Sequence, residues 1–171
     1  MSGAAPFPRV ELLAELPVLG TDDLLAVPVG EGGALPAWLT GPAPVVNAEL
    51  LTGALADTGN RGAAGTITNV PIAGRRPRSV VAVGTGAGTL PELRRYAAVC
   101  VRRAQTLAEH GATRLVLPLD GVAGADEVRA AVETALLAGY RFRDSSAQSP
   151  RRRAEVAVVA ATPGAAPAAA A

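Results

Sequence analysis

At 171 residues the chain has room for one ordinary domain, in which folding buries roughly two-thirds of the unfolded surface. Its 16 basic residues, all arginine, nearly cancel 15 acidic ones, so no global field recruits nucleic acid or an anionic membrane. The single Cys100 excludes an intramolecular disulfide and fits a reducing, cytoplasmic compartment, while the start lacks a signal peptide's basic and apolar regions and no apolar run is long enough to span a bilayer.

Residues 1–21 are expected to form an N-terminal arm with a short first strand, since Pro17 and Gly20 stop a segment, ELLAEL, that is ambiguous between strand and helix. Residues 24–29 are a clearer strand, preceded by Asp22 and Asp23 and closed by Gly30-Glu31-Gly32-Gly33. After a breaker-rich loop at 41–44, Val46, Leu50, Leu51, Ala54 and Leu55 recur at helical spacing, ending near Gly59. A polar, glycine-rich crossing follows at 59–65. β-Branched Thr66, Ile67, Thr68 and Val70 then predict a strand over 66–72.

The centre of the chain is an apolar run at 79–83, a loop Gly84-Thr85-Gly86-Ala87-Gly88, and a helical pattern reaching Glu109. Thr89 and Glu92 have the spacing of a capping box, with Thr89 at the N-cap. Leu93, Ala97, Cys100, Val101, Ala104, Leu107 and Ala108 fall on one face, and Arg94, Arg95, Arg102 and Arg103 on the other. His110 and Gly111 suit the helix C-terminus. A buried-type strand at 114–119, an amphipathic helix at 126–138 and a last strand at 154–160 complete the pattern, and the Ala/Pro tail at 161–171 has the composition of a disordered segment or linker stub. Strands alternating with helices predict an α/β domain over 22–160, with three layers and a mixed, mostly parallel sheet flanked by helices.

The chemistry is sparse. Gly84, Gly86 and Gly88 spell G-x-G-x-G, whereas a dinucleotide fingerprint needs G-x-G-x-x-G and an acidic residue after the next strand. A turn into a helix accounts for these glycines more simply than a phosphate site, and the same holds for Gly30, Gly32 and Gly33; the six are retained as cofactor-binding candidates. No Walker lysine follows. One histidine cannot build a histidine-rich metal site, and no G-x-S-x-G marks a catalytic serine. Neither metal-ligating nor catalytic residues are assigned. Cys100 on the inward face fits a buried, inert thiol. The arginine pairs and the run at 151–153 suit solvated surfaces, which argues against nucleic acid as a partner. Trp38 is either an interface anchor or a packing residue.

Six segments in order resemble one family, the M17 leucyl (cytosol) aminopeptidases, in their N-terminal domain. They are 24–35 (LLAVPVGEGGAL), 59–67 (GNRGAAGTI), 80–86 (VVAVGTG), 93–98 (LRRYAA), 115–119 (LVLPL) and 131–142 (AVETALLAGYRF). The resemblance implies a macro-domain-like fold, hexamers as the usual assembly, and divalent metals confined to a C-terminal catalytic domain. No lysine and no Asn-Thr-Asp-Ala-Glu-Gly-Arg motif is present, so no catalytic residue carries over, and no cofactor is expected in this chain. Arg143-Asp144-Ser145-Ser146 departs from the family's aromatic-basic continuation. The resemblance thus implies a non-catalytic accessory, oligomerisation or regulatory domain of a metal-dependent aminopeptidase, partnered by itself or by a catalytic domain. The alternative is a stand-alone macro-like module holding ADP-ribose or another nucleotide at the two glycine-rich turns.

Overall fold

Residues 24–29 are apolar at every position, and a strand of that kind belongs where both neighbours and both faces are covered. A computed structural model describes residues 8–40, 46–72, 76–108, 114–119, 124–140 and 154–160. In chain order the elements are β1 (Val10–Leu13), β2 (Asp23–Gly30), a 3-10 turn (Glu31–Gly33), α1 (Ala37–Thr40), α2 (Ala48–Thr58), β3 (Ile67–Pro71), β4 (Ser79–Gly86), α3 (Leu90–Ala108), β5 (Arg114–Pro118), α4 (Ala125–Ala138) and β6 (Glu155–Val159). These strands form one sheet in the order β1-β6-β5-β2-β4-β3. Among them only β3 runs antiparallel to its neighbour. β2 lies at the centre, with Leu24 opposite both Ser79 and Leu115.

Alternate residues of the central strands point to opposite faces, and each face has its own core. Leu24, Ala26, Val81, Val83, Leu115, Leu117, Val156 and Val158 pack against α3 and α4. Ala97, Cys100, Ala104, Ala131 and Ala135 make both helices narrow on that side, so small side chains fill the layer. On the other face, Leu25, Val27, Val29, Val80, Ala82 and Val116 pack against Leu39 of α1 and Leu51 and Leu55 of α2. The result is the predicted three-layer α/β architecture.

A partly buried ion pair ties together the starts of two central strands. Arg114 donates from Nε to Asp23 Oδ1 at 2.9 Å and from Nη2 to Oδ2 at 2.7 Å, and the Gly20 amide donates to Oδ2 at 2.6 Å. Asp23 holds the Arg114 guanidinium above its ordinary pKa, chiefly through these hydrogen bonds.

Local details differ from the sequence pattern. The α2 pattern starts at Val46, yet Val46 is buried ahead of the helix and Asn47 is the N-cap, its Oδ1 accepting from the amides of Glu49 (2.8 Å) and Leu50 (3.2 Å). Leu50, expected to face inward, is 49% exposed. The ambiguous segment after Arg9 is a four-residue edge strand paired with β6. Trp38 is half-buried in α1 against the α2-side core, and its buried indole nitrogen has no hydrogen-bond partner among the described residues. The expectations for the first arm residues, the loop at 41–44, His110 and Gly111, Arg143-Asp144-Ser145-Ser146, the run at 151–153 and the tail at 161–171 lie outside the described residues.

Candidate functional site

The chain leaves β2 toward one face of the sheet, where α1 and α2 pack, and leaves the adjacent β4 toward the other, where α3 packs. Adjacent parallel strands whose connections part in this way open a crevice at their carboxyl ends, the usual ligand position in open α/β sheets. Gly30, Gly32 and Gly33 lie on one side of this crest and Gly84, Gly86 and Gly88 on the other. The structure brings the two candidate turns together, as a shared site requires.

The crevice, however, holds the chain's own crossing segment, residues 59–66. The Gly86 amide donates to Gly62 O at 2.8 Å, Gly33 to Arg61 O at 3.2 Å, and Gly84 to Thr66 O at 2.9 Å. Gly65 returns a bond to Gly84 O at 2.9 Å. Gly30 donates to Ala34 O at 2.8 Å, and Gly88 to Thr85 O at 3.1 Å. A phosphate cradle is made of backbone N–H groups free to point at the anion. Here the amides of Gly30, Gly33, Gly84, Gly86 and Gly88 are each engaged within the chain.

Contact between the loops is close enough to demand glycine. Gly62 is buried at φ +85°, and a Cβ there would overlap the Gly30 carbonyl. A Cβ on Gly84 would overlap the carbonyl of Ala63. The glycines at these positions permit backbone to lie against backbone.

Asn60, which the sequence pattern did not single out, organises the crossing. It is 6% exposed; its Oδ1 accepts from the Gly62 amide (3.0 Å) and the Thr66 hydroxyl (2.7 Å), and its Nδ2 donates to Thr68 Oγ1 (3.1 Å). The signal available was an asparagine directly after the α2 cap glycine, with threonines six and eight residues on. Nothing in sequence alone separates that pattern from an ordinary polar loop.

The N-terminus of α3 is also taken. The expected capping box is half present: Glu92 Oε2 accepts from the Thr89 amide at 2.9 Å, but the Thr89 hydroxyl donates to the same oxygen at 2.7 Å instead of accepting from the helix. The hydroxyl and amide of Thr89, with smaller help from the Ala87 backbone and Arg95, hold the Glu92 carboxyl below the ordinary glutamate range. This carboxylate lies so near Gly86 that a Cβ there would overlap it. A negative group thus already occupies the helix end that would attract a phosphate.

Cys100 is buried in the α3 layer, and burial pushes its thiol far above the ordinary range, which makes it a poor nucleophile. Among the described residues no three His, Cys, Asp or Glu side chains gather as a metal site would require. No described helix is long and apolar enough to cross a membrane.

Comparison with known proteins accords with this fold. The chain is similar to the bottromycin maturation enzyme BotP in complex with Mn, at 26% identity and a TM-score of 0.56, over 82% of this chain and 27% of that one. A second BotP structure gives 27% identity and a TM-score of 0.56, over 81% and 27%. The chain therefore spans about a quarter of the length of BotP. A mutant of the Oceanobacillus iheyensis macrodomain shares the fold at 14% identity and a TM-score of 0.52, covering 88% of this chain and 84% of that one. Comparison with curated proteins returned no match. The model of the cytosol aminopeptidase family, N-terminal domain, matches residues 26–148. With that match over most of its length, the chain belongs to the N-terminal domain of the cytosol aminopeptidase family.

Proposed function

We propose that this chain acts as a non-catalytic accessory domain of aminopeptidase type, working by packing against a catalytic aminopeptidase domain or against further copies of itself. The observation that carries this is the crest: the place where an open α/β sheet would hold a ligand is filled by residues 59–66 and by the Glu92 carboxylate. Family membership supports this reading, because the family's model describes a domain named for its N-terminal position. A ligand module needs an open crevice; a domain whose task is assembly is served by one that is closed.

The test is aminopeptidase turnover by the purified chain on leucine-anilide substrates with added manganese or zinc. No turnover is expected, and robust turnover would overturn the proposal. Light scattering on the same sample measures self-association. For ADP-ribose or another nucleotide to bind at the glycine turns, the crest amides would have to be released first; hydrogen exchange of the Gly33, Gly84 and Gly86 amides with ADP-ribose or NAD added checks this site by itself, with no change in protection expected at millimolar ligand.

A further inference from the structure

A groove of about 610 Å³ runs along the outer surface of α3, lined by Ala64 and Gly65 of the crossing loop, Arg94, Arg95, Ala98, Val99 and Arg102 of α3, and Thr134 of α4. Its volume is within the range of small-molecule sites. Residues 95, 98, 99 and 102 follow the i, i+3, i+4, i+7 rule, so they form one stripe, with two short apolar side chains as the floor between two guanidinium groups. Two helical turns separate Arg95 from Arg102, about 10 Å along the axis.

Three observations mark this groove out from an ordinary solvated face. First, its described lining residues carry three positive charges and no carboxylate, and neither ion pair found among the described residues involves Arg94, Arg95 or Arg102. Second, the neighbouring groove of about 360 Å³ shares Arg94 but is lined by Asp126, Arg129 and Glu133, where Arg129 and Glu133 pair at 2.7 Å. That groove has carboxylates in its own lining; the larger one has none among its described lining residues, and Glu92, which feels Arg95, lies outside that lining. Third, the wall is shaped: Gly65 sits at φ +83°, and a Cβ there would lie 2.9 Å from Arg95 Cδ. The missing side chain lets the Arg95 stem lie across the loop.

We infer that this groove binds a small ligand carrying two or more phosphate groups, with Arg95 and Arg102 gripping separate phosphates, Arg94 at the rim and the Thr134 hydroxyl as a further donor. Guanidinium groups match phosphate oxygens in pairs, which a lysine cannot do, and the Ala98–Val99 floor accepts an uncharged portion of the ligand. The site lies on the α3 face, so it stands whether or not the accessory role proposed above is correct.

Calorimetry of the full chain with inorganic tripolyphosphate, at low and physiological salt, is the direct test. One saturable site is expected. Arg95→Ala and Arg102→Ala should each weaken binding about tenfold or more, the lower end of what a charge-assisted hydrogen bond contributes. Both side chains are exposed, so circular dichroism should show the variants folded. Arg95→Lys, which keeps the charge and loses the fork, should recover little. Arg129→Ala, which removes an equal charge from the adjacent groove, should leave affinity unchanged. Absence of saturable binding, equal weakening by Arg129→Ala, or binding of duplex DNA without tripolyphosphate would each overturn the proposal.

Discussion

Replacing Gly62 by alanine tests whether the crest is closed. Two costs add. The residue sits at φ +85°, where an L side chain costs about 1–2 kcal/mol. Its Cβ would also overlap the Gly30 carbonyl, a backbone atom that cannot swing aside, and forcing an extra methyl into packed structure costs about 1–3 kcal/mol. Shifting the loop instead would stretch the bond from Gly86 N–H to Gly62 O. The total is about 3 kcal/mol or somewhat more. Gly59 is the control: it has φ +65° at the α2 C-cap and open space around the site of a Cβ, so Gly59→Ala carries the backbone cost alone, about 1 kcal/mol. At this chain length 1 kcal/mol moves the melting midpoint by about 2–4 °C, so the variants should fall by about 10 °C and about 3 °C respectively. Urea denaturation followed by far-ultraviolet circular dichroism, with the slope checked for constancy, gives the energies. If Gly62→Ala costs no more than Gly59→Ala, residues 59–66 do not seal the strand ends and the argument for a filled crevice fails.

Arg114→Ala should cost about 2–3 kcal/mol in urea denaturation, because it leaves the buried Asp23 carboxylate with only the Gly20 amide; the value sits below the range for a fully buried pair since Arg114 is 29% exposed. A loss under about 0.5 kcal/mol would place the pair with ordinary surface bridges. Glu92 should titrate below an ordinary glutamate by NMR, and Thr89→Ala should move it back up. With the folded value below the unfolded one, its contribution is present above the unfolded carboxylate pKa and is lost as pH falls through the folded pKa. Glu92→Gln should therefore destabilise at neutral pH and become silent in acid. Cys100 should resist Ellman's reagent in the native chain and react at once in denaturant, since it is buried and its pKa is raised; fast native reaction would contradict its place in the core.

Much of the architecture was legible because it depends on short-range patterns. The uninterrupted apolar run at 24–29 marks a strand buried on both faces, and Gly59 marks the end of α2, where it adopts the left-handed cap. The inward stripe of α3 follows from its helical period, and Leu93, Ala97, Cys100, Val101 and Ala104 are all buried. Where the pattern misled, a neighbour decided. Leu50 has the right spacing but lies at the rim of its helix, and Thr89 has the right identity but spends its hydroxyl on Glu92.

The sequence by itself determined the layers, most of the strands and the family, since periodicity, glycine position and segment order are properties of the chain. It also placed two glycine-rich turns after strands. Only the tertiary structure decided what the amides of those turns bond to, because hydrogen-bond donors look alike in sequence whether they face a ligand or another loop. Asn60, Gly62 and Thr66 lie far along the chain from Gly30 and Gly86, and it is the folding of β2 beside β4 that brings their backbones into contact and closes the crest.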